Sequence, residues 1–220
     1  MKINFILHPG YIRTGTTFLQ NNVFSKLNDI INIGKPYQEK SILSNLNNKL
    51  FCKKEDIKNL INYDKLIDTY VNLLLKNIKE TNKNTIIFSD ESLLDFEFYD
   101  PISNLVILKK IFDKLNDQVD LNLKVILTIR RQHDLISSRY SYLFPFYKKN
   151  YPEIDSFINK PNLEQKKFFD SLKYQKISTM IIAKLNCYLQ YFIYEQLKDN
   201  PIIYINNVQK ILGNNKKINE

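Results

Sequence analysis

Lys2-Ile-Asn-Phe-Ile-Leu7 runs directly into His8-Pro-Gly-Tyr-Ile-Arg-Thr-Gly-Thr-Thr17. A short, unbroken apolar run is the pattern of a strand covered on both faces, as central strands of parallel sheets are. It is too short for the core of a secretory leader and far too short to span a bilayer. It therefore reads as a buried first strand, and no export signal is visible. The turn that follows holds Gly10 and Gly15, two of only four glycines in the chain. Glycine permits the positive φ values that aim successive backbone N–H groups at one point. A helical pattern starts at Thr16, and a helix N-terminus adds unpaired N–H groups and its dipole. With hydroxyls from Thr14, Thr16 and Thr17, the turn is a cradle for a phosphate or an isosteric sulfate group.

The rest of the chain repeats the strand-then-helix order. Apolar runs at Thr85–Ser89, Leu123–Ile129 and Tyr188–Tyr194 read as strands, with a weaker one at Ile30–Ile33. Helical spacing covers Thr16–Leu27, Tyr63–Thr81, Ile102–Leu115, Asp134–Tyr147 and Pro201–Leu212, and Leu163–Leu185 holds one or two more helices. Alternation of this kind predicts an α/β fold with a parallel sheet of four or five strands flanked by helices. Lys35–Lys54 shows the least pattern and is expected to form an irregular excursion over the sheet edge. No repeat or linker divides residues 1–220, so a single domain is expected.

Composition narrows the function less. The chain is 44% hydrophobic and 25% charged, which suits a globular protein with a real core. Its net charge of +9 reads either as solvated lysines on helix surfaces or as a field that draws anions. Cys52 and Cys187 lie far apart with no metal-ligand spacing, and two free thiols in a reducing compartment are expected. With no export signal and no membrane span, the expected location is cytoplasmic.

The glycine spacing matches a Walker A loop, but Thr16 stands where that loop has its lysine. The loop's cation is instead Arg13, ahead of the second glycine. The segment His8-Pro-Gly-Tyr-Ile-Arg-Thr-Gly-Thr-Thr-Phe-Leu-Gln20 resembles the 5′-phosphosulfate-binding loop of sulfotransferases that use 3′-phosphoadenosine-5′-phosphosulfate (PAPS). Those loops typically read Pro-Lys-Thr-Gly-Thr-Thr or Pro-Arg-Ser-Gly-Thr-Thr, so their cation maps to Arg13. Ile12 departs from the usual Pro, a change in rigidity more than in chemistry. The resemblance implies a P-loop NTPase-like fold, PAPS as co-substrate and adenosine 3′,5′-bisphosphate as product. It assigns Gly10, Arg13, Thr14, Gly15, Thr16 and Thr17 to the donor's phosphosulfate.

A second segment, Ile129-Arg-Arg-Gln-His-Asp-Leu-Ile-Ser-Ser-Arg-Tyr140, leaves a strand at its carboxyl end, where open α/β sheets bind ligands. It is similar to the family segment in which an Arg, and a Ser eight positions later, bind the 3′-phosphate. These map to Arg130 and Ser138. Arg131 and Arg139 are further cations with no assigned role. Asp134 starts the next helix as a cap or first-turn acid.

Thr85-Ile-Ile-Phe-Ser-Asp-Glu-Ser-Leu93 continues from a strand into acids, and family members often carry Ser-Ser-Glu or Ser-Asp-Glu there. Glu91 is a candidate catalytic base for the acceptor hydroxyl. The competing reading has it cap the next helix or pair with an Arg, and Asp90-Glu91 also resembles a Walker B end. His8, at the loop's mouth, is the rival base or a loop-orienting hydrogen-bond partner. His133 reads as surface. The histidines are not at ligand spacing, so no metal site is expected.

Tyr194 to Pro201, and a helix ending near Gly213, resembles the late strand, turn and helix of bacterial-type members. Such members commonly continue into a segment closing over the nucleotide. The sequence ends soon after Gly213, which implies a compact enzyme or a shortened domain with weaker nucleotide binding. The resemblance thus implies sulfuryl transfer to a hydroxyl, on a carbohydrate or glycolipid, with no nucleic-acid partner. The alternatives are a P-loop kinase or NTPase, which the missing lysine disfavours, and a non-catalytic nucleotide- or glycan-binding module.

Overall fold

The computed structural model describes residues 1–35, 42–51, 63–95 and 101–213. Cys52, part of the Lys35–Lys54 stretch and the tail beyond Gly213 lie outside the described residues.

The strands are β1 (Lys2–His8), β2 (Ile31–Asn32), β3 (Thr85–Ser89), β4 (Asp120–Ile129) and β5 (Tyr188–Ile193). They form one all-parallel sheet in the order β2-β3-β1-β4-β5. The first strand is therefore central, and the loop it feeds lies between the ends of β3 and β4. Strand β4 begins earlier than its apolar run because Lys2 to Leu7 pairs with Asp120 to Val125 along its whole length.

The helices are α1 (Thr16–Asn22), α2 (Ile42–Leu50), α3 (Tyr63–Thr81), α4 (Pro101–Asn116), α5 (Gln132–Tyr147), α6 (Ile154–Asn159), α7 (Leu163–Ser171), α8 (Tyr174–Leu185), α9 (Tyr194–Asp199) and α10 (Pro201–Ile211). Successive side chains of a strand face opposite ways. Ile3, Phe5 and Leu7 join one core with residues of α2, α3, α4 and α8. Ile6 joins the other with residues of α1, α9 and α10. A smaller aromatic cluster, around Leu135, Phe157, Phe168 and Leu172, binds α5 to α6 and α7.

Two expectations need correction. The Lys35–Lys54 stretch is not irregular throughout, because it contains α2. Leu43, Leu46 and Leu50 bury one face of that helix. The pattern is faint because serine and asparagine, weak helix formers, fill much of the rest. The first helix stops at Asn22, short of Leu27, and a 3-10 turn at Phe24–Lys26 follows. Leu163–Leu185 resolves into α7 and α8. Among the described residues, no helix is long and apolar enough to cross a membrane.

Candidate active site

The loop after β1 is built from backbone left turns. Gly10, Arg13 and Gly15 have φ of 61°, 66° and 79°. A Cβ on Gly10 would stand 3.1 Å from Glu91 Cβ, and one on Gly15 would stand 2.8 Å from Leu197 Cδ2. Both glycines are thus needed for close approach as well as for φ. Arg13 carries the conformation with a side chain, which costs of order 1 kcal/mol or more. The Thr14 hydroxyl donates to the Tyr11 carbonyl, and so does the Thr16 hydroxyl at 3.1 Å. These two threonines brace the loop from inside, whereas Thr17 is exposed. Tyr11 anchors the loop by donating to the Ser171 carbonyl at 2.8 Å.

On one side of this loop, β3 ends at Ser89. Asp90 caps the following turn by accepting from Ser92 N at 2.9 Å. Glu91 is therefore not the cap, and its partner is a lysine. Lys35 Nζ lies 2.9 Å from Asp90 Oδ1 and 3.1 Å from Glu91 Oε1. Gln20 Nε2 donates to Glu91 Oε2 at 3.1 Å and to Ser89 Oγ at 3.1 Å. Both carboxylate oxygens are held, and the group still reaches the cavity described below. Burial works against the Lys35 charge, but Asp90 and then Glu91 outweigh it and hold its pKa above the ordinary lysine value. Lys35 is delivered by Gly34, which packs onto β3 so closely that a Cβ would lie 2.3 Å from Ser89 N.

On the other side, β4 leads to Arg130. Its Nη1 donates to the Arg13 carbonyl at 3.0 Å, and its Cζ lies 4.8 Å from the Tyr194 ring centre. Its buried Nε has no hydrogen-bond partner among the described residues. Arg13 Nε donates to Ser138 Oγ at 3.1 Å, and Arg13 Cζ lies 5.1 Å from the Tyr142 ring centre. The two segments singled out in the sequence therefore touch, through both arginines.

A cavity of about 690 Å³ opens between these walls, lined by Arg13, Gly15, Thr16, Thr17, Glu91 and Arg130 among the sequence candidates. Ser138 is not part of the lining and meets it through Arg13. Gly10 and Thr14 lie behind the lining, as does His8. That histidine is 0% exposed, with Nδ1 2.8 Å from Ser89 Oγ and Nε2 3.1 Å from Thr128 Oγ1. Burial pushes its pKa down from 6.5 to about 3. It ties three strands together as a neutral ring and is not part of this cavity's lining. His133 is 78% exposed beside Asp134.

The remaining lining includes Ser92, Asp95, Arg139, Tyr142 and Tyr194. The sequence reading gave none of these a role, nor Lys35 and Gln20. The spacing Leu135, Arg139, Leu143 was the available signal for Arg139, a charge set into a core stripe. Lys35 left none, because its partners are 55 residues and more away. No group of three or more His, Cys, Asp or Glu side chains positioned to hold a metal occurs among the described residues.

The family model for the sulfotransferase domain matches residues 5–220. The chain belongs to the sulfotransferase family. Sulfuryl transfer is the activity of that family, so the chain is a transferase by membership. A solved structure, a sulfotransferase from Alicyclobacillus acidocaldarius, superimposes with a TM-score of 0.56 at 14% identity. The alignment covers 97% of this chain and 82% of that one. At that identity the likeness concerns the fold, which is the P-loop-like α/β fold expected from the loop after β1. No curated protein matches the sequence.

Proposed function

We propose that this sulfotransferase-family protein takes a sulfuryl group from PAPS and passes it to an acceptor hydroxyl on a carbohydrate or glycolipid. The observation that supports this best is the meeting of Arg13, Arg130 and Glu91 on one cavity fed by the Gly10–Gly15 loop. When bound, PAPS supplies an activated sulfuryl group on a good leaving group. Arg13, Thr17 and the loop amides bind the phosphosulfate, and Arg130 with Ser138 binds the 3′-phosphate. The Ser138 hydroxyl accepts from Arg13 Nε, which leaves its proton free to donate to a phosphate oxygen.

Glu91 accepts the acceptor's proton as the acceptor oxygen bonds to sulfur and the bridging S–O bond breaks. The electron pair of that bond leaves on adenosine 3′,5′-bisphosphate. Arg13 and the loop amides stabilise the charge that builds on the sulfuryl and bridging oxygens. Glu91 is favoured over His8 because its carboxylate reaches the cavity and the imidazole does not. A kinase reading is less well supported, since Thr16 replaces the Walker lysine and Asp90 is engaged by Lys35 and Ser92.

The test is turnover of labelled PAPS with a panel of carbohydrate acceptors. Glu91→Gln should lower the rate by roughly 10²–10⁴-fold with nucleotide affinity unchanged. A fully active Glu91→Gln enzyme would remove the base assignment. Tight binding of ATP with Mg²⁺, and none of adenosine 3′,5′-bisphosphate, would return the kinase reading.

A further inference from the structure

Helix α5 buries Leu135, Arg139 and Leu143, which share one stripe at four-residue spacing. The flanking leucines mark that stripe as core, yet the residue between them is an arginine only 3% exposed. Arg139 Nη2 stands 3.7 Å from Asp95 Oδ2, and Asp95 is itself 9% exposed. The Phe168 ring centre lies 6.0 Å from the guanidinium carbon. Burying opposite charges strips both of hydration, and an apolar pair of similar volume commonly serves stability as well or better. Stability alone does not explain an arginine here.

Both charged residues line the cavity beside Glu91 and Ser92. Strands β3 and β4 flank β1, so the Glu91–Asp95 wall stands opposite the wall made by Arg130 and Tyr194. Arg139 reaches across from the helix that follows β4.

We propose that Asp95 and Arg139 form the acceptor subsite and bind two adjacent hydroxyls of a neutral sugar ring. The word acceptor rests on the sulfuryl-transfer reading above. A carboxylate only accepts hydrogen bonds and a guanidinium only donates them, whereas a hydroxyl does both. One hydroxyl of a vicinal diol donates to Asp95 while its neighbour accepts from Arg139. The two side chains carry opposite charges, so a ligand carboxylate meets Asp95 as a like charge and a ligand ammonium meets Arg139 as one. Tyr142 lies one turn further along α5, is 58% exposed and lines the same cavity. Arg13 stands over one face of that ring, which leaves the other face for the C–H side of a pyranose to pack against.

The test uses the full chain and saturation-transfer NMR. The neutral probes are methyl β-D-galactopyranoside, methyl β-D-glucopyranoside and methyl α-D-mannopyranoside. Methyl β-D-glucuronide and cyclohexanol are the controls, and adenosine 3′,5′-bisphosphate is titrated in parallel by calorimetry. At least one neutral glycoside should bind and cyclohexanol should not. Asp95→Asn, Arg139→Lys and Arg139→Met should each weaken that glycoside by roughly tenfold or more, the scale of a charged hydrogen bond. Bisphosphate affinity should stay the same. Asp95→Asn is isosteric and supplies the comparison even where an Arg139 variant does not fold. Glycoside binding untouched by Asp95→Asn, equal losses for glycoside and bisphosphate, or a preference for the glucuronide would each overturn the subsite. Glycosides that bind a protein indifferent to the bisphosphate keep the subsite and refute the donor reading. Bisphosphate binding with no neutral glycoside bound does the reverse, and binding of neither overturns both.

Discussion

Acid should loosen this protein through His8. The ring is 0% exposed and shares its hydrogen bonds with Ser89 and Thr128, two neutral hydroxyls. Burial lowers its pKa from 6.5 to about 3, so the unfolded chain binds a proton that the folded chain refuses throughout that window. Where the unfolded state holds more protons, stability rises with pH. The contribution is whole above pH 6.5 and is lost as the pH falls toward 3. Going from pH 7.5 to pH 5 should remove about 2 kcal/mol, and the full loss below pH 3 is about 5 kcal/mol. Urea unfolding followed by circular dichroism at the two pH values measures this. Other groups titrate as well, so the comparison is with His8→Gln, which cannot charge. The wild type should lose about 2 kcal/mol more than the variant over that interval. Parallel losses in the two proteins would refute the claim that a neutral, inaccessible imidazole sits here.

Three further outcomes test the site. Arg130→Ala should weaken adenosine 3′,5′-bisphosphate by about 1.5–3 kcal/mol and adenosine 5′-phosphate much less; equal losses in calorimetry would show that Arg130 does not read the 3′ group. Arg13→Ala should cut PAPS turnover by roughly 10²-fold or more, Arg13→Lys should keep a substantial part, and EDTA should not change the wild-type rate. Lys35→Met removes the ammonium that Asp90 Oδ1 and Glu91 Oε1 share. Deleting one partner of a fully buried pair costs roughly 3–5 kcal/mol, and with Lys35 28% exposed the expectation falls to about 1–3 kcal/mol, read as a lower melting temperature.

The legible parts of this molecule were local. Lys2–Leu7, Thr85–Ser89 and Tyr63–Thr81 announce themselves because periodicity and burial coincide within one element. The glycine loop was equally plain, because scarce glycines and clustered threonines fall between a strand and a helix. What stayed hidden depends on crossover. Lys35 meets Asp90 and Glu91 only because β2 lies beside β3, and Arg139 meets Asp95 only because α5 reaches over the central strand's end. Even a clear motif did not disclose direction. Thr14 and Thr16 sit in the loop as expected, yet both turn their hydroxyls back to Tyr11. His8 had the right place in the sequence for a base, but the strand's alternation points it to the Ile6 face of the sheet, where its ring packs on Phe24.

Gly34 gives the sheet's shortest strand a purpose larger than its length. It touches no part of the cavity, and its side of β3 has no room for even a methyl group, since a Cβ would fall 2.3 Å from one backbone atom of Ser89 and 2.5 Å from another. The fit works as a gauge block: it sets how far the next residue, Lys35, stands from the carboxylates at the end of β3. A methyl inserted there would become an error in distance at Glu91. A saturation screen scored by turnover should therefore find position 34 as intolerant as position 91. Sorting the same variants by distance from the cavity would pass over it.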